Sequence, residues 1–120
     1  MTDNAMFIKY LQDLSQNRFA LNTLNDDTYR AFLRTLLAQF GQHNSQRWYL
    51  IGTDGCHLCD DTARLMHRLG VDFIRLELTD THDDIIDTLG MMIPILLTPT
   101  KMLCAPFGVM DIMALFDYKK

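Results

Sequence analysis

Three cysteines in 120 residues are too few, and odd in number, to staple a small disulfide scaffold, so the fold must rest on an apolar core. Basic charge is also scarce. Eleven Lys and Arg against 15 Asp and Glu give a formal net charge of -4, which argues against phosphate-backbone binding as the main activity. Nucleic acid is not an expected partner. The first residues, MTDNAMFIKYLQDL, carry Asp3, no basic leader and no long apolar run. Neither a signal peptide nor a membrane anchor is expected there, and the expected compartment is the cytoplasm. The chain also lacks internal repeats, low-complexity tracts and any second Cys-x-x-Cys or spaced His pair that would complete a closed zinc site. Neither a metal nor a cofactor is expected.

What is present suits one globular protein: 48% of the residues are hydrophobic. Charge divides unevenly. Residues 1–45 balance four basic against four acidic side chains, whereas 46–120 hold seven against eleven, so the whole excess lies there. The polar stretch GQHNSQ, Gly41 to Gln46, is the best boundary between an N-terminal helical extension (1–45) and a main domain (46–120).

Asn25, Asp26 and Asp27 offer a cap and a favourable charge at a helix start. Behind them Tyr29, Phe32, Leu33, Leu36, Leu37 and Phe40 form one apolar stripe at 3,4 spacing. That stripe must be buried, against the chain's own domain or against a partner or second copy. A weaker pattern, with Phe7, Leu11 and Leu14 on one face, predicts an earlier helix around Met6 to Leu14.

The main domain changes character. Trp48 to Ile51 reads as a buried strand ended by Gly52, and a helix follows from about His57 to Leu69, with Leu58, Leu65, Met66 and Leu69 toward the core and Gly70 as its stop. Val71 to Leu78 is a second strand, parallel to the first through a right-handed crossover. A helix from Asp80 or Thr81 to Leu89, a strand from Ile93 to Leu97, a turn at Thr98-Pro99-Thr100-Lys101 and a return strand Met102 to Cys104 come next. Pro106-Phe107-Gly108 breaks that strand, and a helix from Val109 to Phe116 closes the chain. The order βαβαββα is an α/β fold with a mixed four-stranded sheet. It sets the motif TDGCHLCDD, Thr53 to Asp61, at the carboxyl end of the first strand, the edge where chemistry collects in open α/β sheets.

Cys56 and Cys59 admit three readings: a redox pair, part of a metal site, or two buried thiols. Residues three apart in a helix body have Cβ atoms ~5–6 Å apart, too far for a disulfide, so such a pair closes only at a helix lead-in. Thr53-Asp54-Gly55 supplies one. The first helical turn would stabilise a Cys56 thiolate through free N–H groups and the helix dipole, and His57 could add charge. Asp54, Asp60 and Asp61 oppose it, which predicts a Cys56 pKa only moderately below that of a free cysteine and a reductant-like poise.

Three stretches, WYLIGTDGCHLC, IPILL (Ile93 to Leu97) and PFGVMDI (Pro106 to Ile112), resemble the glutaredoxin-like branch of the thioredoxin fold, over about residues 47–118. The resemblance implies a thioredoxin-like three-layer fold preceded by one or two helices. It also implies a thiol–disulfide oxidoreductase in which Cys56 attacks and Cys59 resolves; His57, by its own charge, either tunes Cys56 or is an exposed histidine with a local role. Ile93-Pro94 would be a cis peptide facing the cysteines, with the Ile93 backbone free to pair with an extended substrate; Asp111 would either bind ligand or be an ordinary acid in the first turn of its helix. The implied substrate is a protein or small-molecule disulfide, with glutathione a candidate. Departures weaken that last point. His57-Leu58 replaces Pro-Tyr, Asp54-Gly55 replaces a basic residue, Met92-Ile93 replaces Thr-Val, and only Gly108-x-x-Asp111 remains of the glutathione segment. Cys104 reads as a buried small hydrophobe and Trp48 and Tyr49 as core positions. The alternative function is a non-catalytic binding or redox-sensing module that uses the N-terminal helices for partner contact.

Overall fold

The computed structural model describes residues 2–117, with side chains described over 5–116. Its helices are α1 (Thr2–Gln16), α2 (Asp26–Ala38), α3 (His57–Arg68), α4 (Asp83–Leu89) and α5 (Val109–Asp117). Its strands are β1 (Tyr49–Gly52), β2 (Ile74–Glu77), β3 (Ile95–Leu97) and β4 (Met102–Cys104), paired in the order β2-β1-β3-β4. β1 runs parallel to β2, with Leu50 opposite Arg75 and Gly52 opposite Glu77, and antiparallel to β3, with Ile51 opposite Ile95. β4 returns antiparallel to β3. This is the expected α/β fold with a mixed four-stranded sheet.

The period of two along each strand sorts the core into two layers. Tyr49, Ile51, Leu76, Ile95 and Leu97 meet α1, α2 and α4 through Leu14, Phe32, Leu36 and Leu89. Leu50 and Leu96 point the other way, onto Ala63 and Met66 of α3 and Ile112 of α5. Helices therefore cover both faces.

The α2 stripe packs against the chain's own sheet: Tyr29, Phe32, Leu33, Leu36 and Leu37 are all buried. The helix starts as its sequence dictates, with the Asn25 side chain accepting the Thr28 N–H at 2.8 Å. Two polar ties fasten the same region to the sheet. The Tyr29 hydroxyl lies 2.9 Å from the Thr98 carbonyl and 2.7 Å from that of Lys101, at the β3–β4 turn. Arg18 donates to the carbonyls of Cys104 and Pro106 at 2.9 and 3.2 Å.

Several boundaries differ from the sequence expectation. β2 begins at Ile74 rather than Val71, because Val71 donates back to the Met66 carbonyl (3.0 Å) to close α3, and Ile74 makes the first bond to β1 through Trp48 (3.0 Å). β3 begins at Ile95 rather than Ile93. α4 begins at Asp83, after a 3-10 turn at Leu78–Asp80. Leu58 is not a core residue: it is 65% exposed, since the buried stripe of α3 runs Cys59, Ala63, Met66 and Leu58 falls outside it. Trp48 stacks on Phe116 with ring centroids 5.4 Å apart, while Tyr49 is fully buried. None of the described helices is long and apolar enough to cross a membrane.

Candidate functional site

β1 delivers the chain into a tight turn, where the Cys56 N–H donates to the Thr53 carbonyl at 3.2 Å. Gly55 makes that turn at φ +83°, a left-handed conformation that costs a side-chain-bearing residue about 1–2 kcal/mol. Cys56 then occupies the N-cap of α3, and its Sγ accepts the Cys59 N–H at 3.2 Å, the bond a capping oxygen would normally take. Cys56 and Cys59 are joined by a disulfide across a Cα separation of 5.3 Å.

The two sulfurs are not equivalent. Cys56 is half-buried, whereas Cys59 is 0% exposed. Gly52 explains the difference: a Cβ there would lie 2.9 Å from both Cβ and Sγ of Cys59, so the missing side chain is the space that Cys59 fills. As a sequence feature Gly52 reads only as a strand terminator. In the fold it is the last residue of β1, facing α3.

Two further residues, both missed in the sequence reading, come from β2. Arg75 donates to Asp60 at 3.1 Å. Glu77 accepts the Thr53 hydroxyl at 2.7 Å and the Asp54 N–H at 3.0 Å, and also holds Thr79. Burial pushes the Glu77 carboxyl up, but the bonds from Thr53, Thr79 and Asp54 together outweigh it and hold it below its ordinary value. Arg75 and Glu77 lie about twenty positions from the cysteines; parallel pairing and strand alternation are the signals that would have found them. Asp61 pairs with Arg64, so two of the three flanking carboxylates carry guanidinium partners and Asp54 alone is left without one.

The other anticipated residues divide. His57 is exposed on the first turn of α3. The Ile93-Pro94 peptide is cis, as is Ala105-Pro106, which the sequence did not suggest. Because Ile51 pairs with Ile95, Pro94 lies level with Gly52, at the sheet edge from which the cysteine turn leaves. Ala105 donates to both Met92 and Pro94 carbonyls, and among the described residues no backbone hydrogen bond involves Ile93. Asp111 is engaged locally: its Oδ2 accepts the Gly108 N–H at 2.8 Å, holding the start of α5. Cys104 is buried, and burial pushes its thiol up to about 11 despite the opposing charge of Arg18.

A cleft of about 410 Å³ opens at the end of β1 that leads into the cysteine turn, lined by Gly52, Asp54, Asp60, Arg75, Leu76 and Glu77 but by neither cysteine. A larger groove of about 690 Å³ runs between α1 and α2, on the opposite face of the sheet, and holds no thiol. Among the described residues no group of three or more His, Cys, Asp or Glu could hold a metal ion.

Fold and site together define an α/β protein with a Cys-x-x-Cys disulfide at a helix N-terminus, an arrangement compatible with redox chemistry. No protein-family model, curated protein or solved structure matches the chain.

Proposed function

We propose that the chain is a thiol–disulfide oxidoreductase of the glutaredoxin-like branch of the thioredoxin fold, with Cys56 attacking and Cys59 resolving. The observation that carries this reading is the asymmetry of the pair: Cys56 caps α3 and accepts a backbone N–H, whereas Cys59 is sealed against Gly52. A sulfur in the first position is a ready anion, and the thiolate is the nucleophile.

In the reduced protein the Cys56 thiolate attacks one sulfur of a substrate disulfide, and the other leaves as a thiolate. Cys59 then attacks Cys56, forming the internal disulfide and releasing the second substrate sulfur. Two electrons pass from the dithiol to the substrate. Reduction of the internal disulfide by an external thiol restores the starting state.

The Ile93 backbone, which has no hydrogen bond among the described residues, supports an extended peptide as substrate. Leu58, exposed between the cysteines, offers that peptide an apolar contact. Glutathione is the weaker candidate, because Asp111 holds its own helix and Asp54 stands where a basic residue would attract an anion. The adaptor reading loses its main support, since the α2 stripe offered for a partner is buried against the sheet. The test is turnover of a disulfide-bonded peptide with dithiothreitol as electron source. Cys56→Ser is expected to abolish turnover; wild-type turnover by that variant would overturn the proposal.

A further inference from the structure

The geometry sets the Arg75 guanidinium near the buried sulfur. Its Nη1 donates to Asp60 Oδ1 at 3.1 Å. Its Nη2 lies 3.6 Å from the point a Gly52 Cβ would occupy, and Cys59 Sγ lies 2.9 Å from that same point, which puts the two atoms no more than about 6.5 Å apart. The register explains the approach: Arg75 pairs with Leu50, and both point to the α3 face of the sheet.

Cys59 needs such a neighbour. It is 0% exposed, and burial disfavours a thiolate, yet resolution requires one. The other charged groups on the neighbouring elements are engaged or exposed. Asp61 pairs with Arg64, and Glu77 is taken by Thr53, Thr79 and the Asp54 N–H. Asp111 is bonded to Gly108, and Asp54 and His57 are exposed without a tie toward Gly52; Arg75 is also partly open, with 43% of its side chain exposed, but its Nη2 reaches in toward Gly52. Residues 91–94, which lead into β3, contain no titratable side chain.

We propose that Arg75 is a positioning residue for the resolving step: one guanidinium nitrogen pins and neutralises Asp60 while the other stabilises the Cys59 thiolate. The proposal rests on the oxidoreductase reading. In the step concerned, Cys59 sulfur attacks Cys56 Sγ, the Cys56–Cys59 bond forms and the Cys56–substrate bond breaks. The electron pair leaves with the substrate sulfur, which ends with the proton that Cys59 gives up. The substrate disulfide is the oxidant, so no further redox partner enters. A guanidinium suits the task because its fork serves both neighbours at once, which a single ammonium does less well.

Reaction of the fully reduced chain with 5,5′-dithiobis(2-nitrobenzoate) separates the two steps by absorbance. A first nitrothiobenzoate is released as Cys56 attacks, and a second as Cys59 closes the internal disulfide. Arg75→Gln is expected to slow the second release about tenfold at neutral pH and to move its pH profile up by about one unit, leaving the first release the less affected. Arg75→Lys, which keeps the charge, is expected to recover most of the rate. Asp60→Asn breaks the same ion pair but removes a negative charge, so it is expected to move the profile down. If Arg75→Gln and Asp60→Asn slow the second release alike with an unmoved profile, Arg75 is only a structural tie and the proposal falls. Persistence of the first release in Cys56→Ser would instead overturn the oxidoreductase reading itself.

Discussion

Cys59 rests on the bare Cα of Gly52, so close that a methyl group there would come within 2.9 Å of its Cβ and Sγ. The atom that would be struck first is not the far end of a flexible chain. It is the root of a side chain fixed in the first turn of α3, so relief requires the helix start to move away from β1. Gly52→Ala is expected to cost about 1–3 kcal/mol, as overpacking generally does. The urea midpoint of the reduced protein measures it; an unchanged midpoint would show that strand and helix part at no cost.

Glu77 ties β2 to the turn that leads into Cys56. Its carboxyl is held below its ordinary value of 4.5, so its bonds stabilise the fold fully above that pH and are lost as pH falls through the lower folded value. Glu77→Gln is expected to be less stable than the parent by about 1–3 kcal/mol at neutral pH, with the gap closing as pH falls below 4.5 and through the lower folded value. Thermal melts across that range check it, and a gap that widens on acidification would contradict the assignment.

The N-terminal helices are predicted to be indispensable for folding. Removing residues 1–44 bares the sheet face that holds Tyr49, Ile51, Ile95 and Leu97, and the truncated chain is expected to aggregate rather than to remain folded without its extension. Tyr29→Phe is the gentler probe. It strips the Thr98 and Lys101 carbonyls of their shared donor and is expected to cost about 1–2 kcal/mol by chemical denaturation. A soluble, folded truncation would return the helices to the role of a partner-binding extension.

Asp111 is predicted to serve its own helix. Asp111→Asn weakens the bond to the Gly108 N–H, with an expected loss of about 0.5–1 kcal/mol in stability and little change in turnover of a disulfide-bonded peptide. A large rise in KM for glutathione disulfide in that variant, with stability unchanged, would make Asp111 a ligand residue.

Legibility in the sequence followed the range of the interaction. The Asn25 cap, the α2 stripe and the lead-in before Cys56 are local patterns, and each element they predict is present. Strand ends were harder to read, since the turn after α3 consumes Val71 to Phe73 before pairing begins. Leu58 misled because apolarity alone does not say which side of a first turn meets the sheet. Arg75, Glu77 and the true role of Gly52 depend on β2 lying alongside β1 in one register, which no local pattern states.

The attacking and resolving roles stand most directly on the inequality of the two sulfurs. Brief treatment of the fully reduced protein with limiting iodoacetamide, read by peptide mass spectrometry, measures it. Cys56 is expected to be alkylated first, with Cys59 and Cys104 still unmodified. Alkylation of Cys59 at a rate equal to or above that of Cys56 would contradict the assignment of attacking and resolving thiols.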